Sequence, residues 1–316
     1  MQRHLARRNY IYHLPWYIVI GTADSGKSTL LREGYSSDTI YVPEKVRGEN
    51  TGVWHIGPHV GEHAVIFDIN GVLIDQPVSS QEDANIYSRL WNHWLGWSSQ
   101  NRPRQPLNGI ILSLDLPELL TATKPQRERQ LTVLRQRLQD IRQQLHCELP
   151  VYIVLTKLDL LYGFAPLFQP LDKQQRDSIL GVTFTEGSHD NDRWRDELHT
   201  FWQEWIARFN QALPDLLLSH VEASQRSMLF SFNRQMHGIN EHLEALLSSL
   251  LAGDNMSVML RGVYLTSSLQ RGQVDDMFIQ SAAVQYRLGQ TALSSWPMVV
   301  TQPYFTRDLF PQVLLA

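Results

Sequence analysis

The chain has 316 residues, 43% of them hydrophobic, and a formal net charge of −4. That length and apolar share supply a real core and exclude a disordered tail, while the acidic balance gives no global electrostatic case for nucleic acid. A single cysteine, Cys147, excludes an internal disulfide; it fits a reducing cytoplasm and reads as a small residue near a helix end.

The first eight residues, Met1 to Arg8, lack the apolar stretch of a signal peptide. Arg3, Arg7 and Arg8 suit either a solvated terminus or a segment just inside a membrane. No apolar run approaches the roughly 18 residues that span a bilayer. Leu14–Ile20 is short, β-branched and aromatic, which predicts a central parallel strand.

That strand runs into Gly21-Thr22-Ala23-Asp24-Ser25-Gly26-Lys27-Ser28-Thr29, with the P-loop spacing G-x-x-x-x-G-K-S. The glycines let backbone N–H groups fold into a nest around phosphates, and the helix that follows points its positive end at them. Gly21, Asp24, Ser25, Gly26, Lys27, Ser28 and Thr29 are the candidate phosphate-binding residues. Lys27 is expected to reach the β- and γ-phosphates, and Ser28 to hold Mg²⁺. Gly34 is the expected stop of a brief helix.

Tyr35–Thr51 is polar and irregular, the place of a switch loop; Thr39 and Thr51 read as second Mg²⁺ contacts or as ordinary loop residues. Val53–Ile56 and Glu62–Phe67 flank Gly57–Gly61, which predicts a hairpin turning there. Its second arm delivers Asp68-Ile69-Asn70-Gly71, a D-x-x-G pattern. Asp68 would orient Mg²⁺ through water and the Gly71 N–H would sense a γ-phosphate. Lys27, Asp68 and Gly71 are therefore the candidate catalytic residues, with Ser28 and Asp68 as the metal pair. His55, His59 and His63 recur every four residues, but the glycines and proline between them argue against a helix and a metal face.

Ala84–Trp97 has helical spacing, and Trp91, Trp94 and Trp97 read as core or as a partner-docking surface. Leu107–Leu116 predicts a third buried strand. Leu131, Leu134, Leu138, Ile141 and Leu145 mark a helix, and Val151–Leu155 another strand. The last of these feeds Thr156-Lys157-Leu158-Asp159, a [N/T]-K-x-D pattern that reads a guanine base. The carboxylate accepts from ring N1–H and the exocyclic amine while the Lys stem covers the ring. Adenine has no such donor pair, so Thr156, Lys157 and Asp159 favour GTP over ATP.

Beyond Gly163 the pattern is α-rich: helices over Trp194–Phe209, Leu213–Ala223 and Ile239–Leu251, a short strand at Met228–Phe232, and a strand-like run at Val258–Thr266. The expected fold is α/β, a P-loop GTPase-like, mostly parallel sheet flanked by helices with an α-rich C-terminal extension. Residues 1–187 form the expected P-loop domain and 188–316 the extension, with the 228–232 strand able to return to the main sheet.

The chain resembles the TssM/IcmF family almost end to end. The likeness rests on Leu14–Gly21 leading into the P-loop, on Asp68-x-x-Gly71, on Pro106–Leu112 and on Pro150–Asp159. It continues in Leu260–Ser268 and Tyr304–Phe310. The resemblance implies the NTPase-like part of a longer type VI secretion protein on the cytoplasmic face of the bacterial inner membrane, with membrane spans outside this segment. With the motifs above, the expected ligand is GTP or ATP with Mg²⁺, and the net charge leaves no nucleic acid among the expected partners. Implied partners are a TssL-like membrane protein, a TssK-like baseplate protein and, through a periplasmic part not in this segment, a TssJ-like lipoprotein. Asp24 inside the loop and Ile69-Asn70 in place of Thr-Ala depart from the family pattern. Val72 follows Gly71 where many GTPases carry a water-positioning glutamine, so hydrolysis is expected to be slow or assisted in trans.

Overall fold

In β1, Trp16–Ile20, every residue after Trp16 is buried, as expected of a strand covered on both faces. The computed structural model describes residues 11–35, 39–41, 56–76, 81–188, 192–251, 258–268, 271–274, 296–299 and 302–315. The expectations for Met1–Arg8, Thr51, His55 and most of the switch loop lie outside the described residues, as does the Thr39 side chain.

After β1 come α1 (Lys27–Gly34), β2 (Thr39–Tyr41), β3 (Ile56–Gly61), β4 (Val65–Ile69), α2 (Gly71–Asp75) and α3 (Gln81–Asn101). Next are β5 (Gly109–Asp115), α4 (Leu116–Thr121), α5 (Lys124–Leu145) and β6 (Pro150–Thr156). A 3₁₀ turn at Leu158–Leu160 precedes α6 (Phe164–Phe168), α7 (Lys173–Asp177) and β7 (Gly181–Thr183). The second half contributes α8 (Arg193–Ser219), α9 (Ala223–Leu251), β8 (Met259–Leu265) and a two-stranded ribbon of β9 (Arg271–Val274) and β10 (Trp296–Val299).

Eight strands form one sheet in the order β2-β3-β4-β1-β5-β6-β8-β7. The inner strands β4, β1, β5, β6 and β8 run parallel, and β2, β3 and β7 pair antiparallel at the edges. Alternate residues of each inner strand face opposite layers, as a period of two requires. Ile18, Ile20, Leu112, Ile153 and Leu265 join one core cluster, with Trp91, Leu138 and Leu243 from α3, α5 and α9. Tyr17, Val19, Ile111 and Val154 join the other, with Leu30 and Leu31 of α1 and Phe310 near the C-terminus. Because β4 lies on one side of β1 and β5 on the other, the strand order reverses at β1. In an open α/β sheet that reversal leaves a crevice outside the carboxyl ends of the strands.

Three expectations change. The β3–β4 hairpin turns at Glu62-His63, where Gly61 N donates to Ala64 O at 3.0 Å; Gly57–Gly61 is itself strand, pairing Pro58 with Phe67. Residues 228–232 are helical, because Leu229, Phe232, Met236, Ile239, Leu243 and Leu250 form one buried stripe at spacings of three, four and seven along α9. The strand that joins the sheet from the second half is β8. Finally, α8 continues through Pro214, whose neighbours Leu213 and Leu216 keep packing on the core, so the helix does not break near 210. Trp91 and Trp94 are buried, and Trp97 is 42% exposed with its ring stacked 5.9 Å from Trp16, so core packing takes two of the three tryptophans.

Candidate functional site

The loop between β1 and α1 is pinned from below. Ser25 O accepts from Ser113 Oγ at 2.7 Å and from Thr156 Oγ1 at 2.8 Å, which ties it to the ends of β5 and β6. Gly26 adopts a left-handed φ of 79° with Thr156 beneath it, and α1 starts there without any side-chain cap. Its first-turn amides are thus available to an anion. Asp24 sits exposed at the tip with φ 59°, and Thr29 is partly buried in the first turn of α1.

Lys27 is 6% exposed and folds back over the loop. Its ammonium donates to Gly21 O at 2.9 Å, Thr22 O at 2.6 Å and Ser25 Oγ at 3.2 Å. Burial pulls its pKa down, against the charges of Asp68, Asp75 and Asp24. Beside it, Ser28 Oγ donates to Asp68 Oδ2 at 2.5 Å, while Asp68 Oδ1 is buried with no hydrogen-bond partner among the described residues. Burial raises the Asp68 pKa, opposed by the Ser28 hydrogen bond and by Lys27 and His59. The Ser28 hydroxyl and the Asp68 carboxylate, one oxygen of which has no partner among the described residues, are hard oxygen donors of the kind that suits Mg²⁺. Among the described residues no group of three His, Cys, Asp or Glu forms a separate metal site.

At the carboxyl end of β6, Lys157 has a left-handed φ of 63° and its ammonium meets Asp115 Oδ2 at 2.5 Å. The other Asp115 oxygen caps α4 by accepting from Glu118 N at 3.0 Å. Asp159 is fully buried: Oδ1 accepts from Ser267 Oγ at 2.7 Å, and Oδ2 has no partner among the described residues. Burial pushes its pKa from 3.8 up to about 6, although the Ser267 hydrogen bond, a backbone hydrogen bond and Lys157 pull the other way. Ser267 is held in turn, its backbone exchanging hydrogen bonds with Tyr304 at 3.0 and 2.8 Å.

Every sequence-predicted site segment therefore lies at the carboxyl ends of parallel strands: Gly21–Thr29 after β1, Asp68–Gly71 at β4, Thr156–Asp159 at β6. Thr156 differs in role from Lys157 and Asp159, since its hydroxyl faces the loop and β5 (Leu114 O, 3.1 Å). Sequence reasoning missed Ser113, Asp115, Ser267 and Asp75, whose carboxylate accepts from Ala23 N at 2.9 Å. A polar residue closing each buried strand was the available signal for Ser267 and Asp115.

An IcmF-related N-terminal domain model matches residues 85–316. The chain belongs to the IcmF-related family. This IcmF-related chain is also 28% identical, over 319 aligned positions and 97% of its length, to the type VI secretion system component TssM1 of Pseudomonas aeruginosa. It spans 28% of that relative's length. Among solved structures, the GDP form of the signal recognition particle receptor SRb from Chaetomium thermophilum matches at 16% identity and a TM-score of 0.29. That match covers 51% of this chain and 67% of the other. A GDP-bound mutant of S. thermophilus NFeoB matches at 13% identity and a TM-score of 0.30, covering 75% and 96%. The strand order and the loops at its strand ends make the fold mostly parallel, helix-flanked and P-loop GTPase-like. Among the described residues no helix is long and apolar enough to cross a membrane.

Proposed function

We propose that this chain is the nucleotide-responsive part of a type VI secretion membrane complex, binding GTP in preference to ATP and using the bound state in assembly. The observation that carries the reading is a pair of carboxylate oxygens, Asp68 Oδ1 and Asp159 Oδ2, buried without a hydrogen-bond partner among the described residues at the carboxyl ends of β4 and β6, with the loop that carries Lys27 leaving β1 between those strands. A buried carboxylate oxygen without a donor is costly, and a ligand that supplies a cation at one end and paired N–H donors at the other removes both costs. Guanine offers that donor pair to Asp159. Ser28 and Asp68 would hold Mg²⁺, which neutralises phosphate charge when bound.

The chain's own residues do the rest. Lys27 meets the outer phosphates, the loop amides orient the chain of phosphates, and Gly71 and α2 register which phosphates are present. Val72 carries no group that orients a water, so turnover is slow or assisted in trans. The kinship with TssM1 supports placing the domain on the cytoplasmic face of the inner membrane, with TssL-like and TssK-like proteins as its partners there. Calorimetry with GTP, ATP and Mg²⁺ on wild type and Lys27→Ala tests the reading. Micromolar binding lost in the variant is expected; no binding tighter than millimolar for either nucleotide overturns it.

A second reading, a scaffold that binds only protein partners, is favoured by one observation: Ala23 N in the phosphate loop is already satisfied by Asp75. It predicts that secretion and partner pull-down survive Lys27→Ala.

A further inference from the structure

Helix α2 follows Asp68 almost directly and closes on the phosphate loop at two points. Its first residue, Gly71, lies so near that a Cβ there would stand 2.3 Å from Ala23 N and 2.4 Å from Ala23 Cα. Its last, Asp75, accepts a hydrogen bond from the same Ala23 N at 2.9 Å. A carboxylate on a loop amide brings the negative charge and acceptor oxygens that a phosphate would bring. Asp75 also lies within electrostatic range of the Lys27 ammonium. By contrast, the N-cap of α1 is Gly26, and among the described residues no side-chain cap occupies that helix start.

In a P-loop the loop amides and the helix start cradle the first two phosphates, while the glycine of D-x-x-G answers to the third, and Ala23 N is the loop amide that lies against that glycine. Here the D-x-x-G glycine is pressed onto Ala23, and the helix that it starts supplies the acceptor for Ala23 N.

Resting on the nucleotide reading above, we propose that Asp75 is a specificity-determining residue standing in for the third phosphate, so that the folded site takes a nucleoside diphosphate in preference to a triphosphate. A diphosphate leaves the Asp75–Ala23 bond intact. A triphosphate has to displace the Asp75 carboxylate and lift Gly71 off the loop, and so its binding is coupled to a movement of α2. This gives the domain its two states: α2 closed on the loop with a diphosphate, and α2 released with a triphosphate.

The test is calorimetry on the full chain with Mg²⁺, comparing GDP with GMPPNP and ADP with AMPPNP for wild type, Asp75→Asn and Asp75→Ala. Wild type is expected to bind the diphosphate about tenfold tighter or more, the scale of one charge-assisted hydrogen bond. Asp75→Ala is expected to remove most of that preference. Asp75→Asn, whose side-chain oxygen still accepts from Ala23 N without the charge, should fall between them, and it carries the comparison if the alanine variant does not fold. Equal affinities in wild type, or an unchanged ratio in variants that still bind the diphosphate, overturn the role of Asp75 alone. No binding of any nucleotide by wild type or variants overturns the nucleotide reading together with this inference.

Discussion

Ser267 Oγ donates to Asp159 Oδ1 across 2.7 Å, although the two residues are 108 positions apart. The bond exists because β8 lies beside β6 in the sheet, so that the loops leaving both strands meet at one edge of the crevice. It satisfies one oxygen of a fully buried carboxylate, while the other is buried without a partner among the described residues. Burial pushes the Asp159 pKa up to about 6, and the protonation state decides whether it accepts hydrogen bonds or donates one.

Guanine recognition should therefore depend on pH. The ionised form accepts from the base, so GDP affinity is expected to weaken as pH falls through about 6. The Ser267 hydrogen bond lowers the Asp159 pKa, and Ser267→Ala is expected to move that midpoint upward and to weaken GDP at neutral pH by about three- to tenfold. Calorimetry between about pH 7.5 and pH 5 reads both effects. A flat profile with ADP and GDP bound alike would remove Asp159 from base recognition.

Stability in the absence of ligand should run in the opposite sense. Burial raises the Asp159 pKa above its unfolded value of 3.8, so the protonated form is favoured in the fold. Its contribution is fully present below about pH 4 and is lost as pH rises through about 6. The cost of the charge at neutral pH is on the order of 2 to 3 kcal/mol. Asp159→Asn is expected to flatten this slope and to raise the urea midpoint at pH 7, measured by denaturation of ligand-free protein at several pH values. A variant less stable than wild type at pH 7 would mean that the charge is compensated.

The phosphate loop should fail at Gly26 before it fails at Asp24. With φ at 79°, an alanine at Gly26 enters the left-handed region and its Cβ stands 3.2 Å from Thr156. Gly26→Ala is expected to lower stability by about 1 to 2 kcal/mol and to abolish phosphate binding. Asp24→Ala removes an exposed side chain and is expected to leave the melting temperature within a degree or two. Paired thermal melts decide the comparison.

The motifs were readable in the sequence where they are local. Ile18–Ile20 into Gly21 announces a buried strand and its turn, and Leu155 into Thr156 does the same at β6, because a run of apolar residues ending in polar or glycine residues has one simple reading. Contacts made across the fold were not readable. Ser113, Asp75 and Ser267 reach partners 88, 52 and 108 residues away, and no spacing encodes such a distance. The segment 228–232 misled for a related reason. Its Met, Leu and Phe cluster looks like a strand by itself, and only the stripe continuing to Leu250 makes it part of a helix.

The sheet also bears on where the chain can be cut. β8 lies between β6 and β7, pairing Val151–Leu155 with Leu260–Leu265 on one side and Gly181–Thr183 on the other. Among the described residues of 1–187, β7 has no other strand to pair with, and one edge of β6 is left bare along its length. An exposed parallel edge of apolar residues invites aggregation rather than folding. The α9 helix adds to the dependence. Gln235 Nε2 donates to Tyr162 O at 2.8 Å, which fastens α9 to the loop that follows Asp159, and Trp202 Nε1 of α8 donates to Met236 O at 2.6 Å, which fastens α8 to α9. A 1–187 fragment is expected to be insoluble or to unfold without cooperativity, while the 316-residue chain melts in one transition. Calorimetric melting of the two proteins is the check, and a cooperative transition in the fragment would make the first 187 residues an independent domain after all.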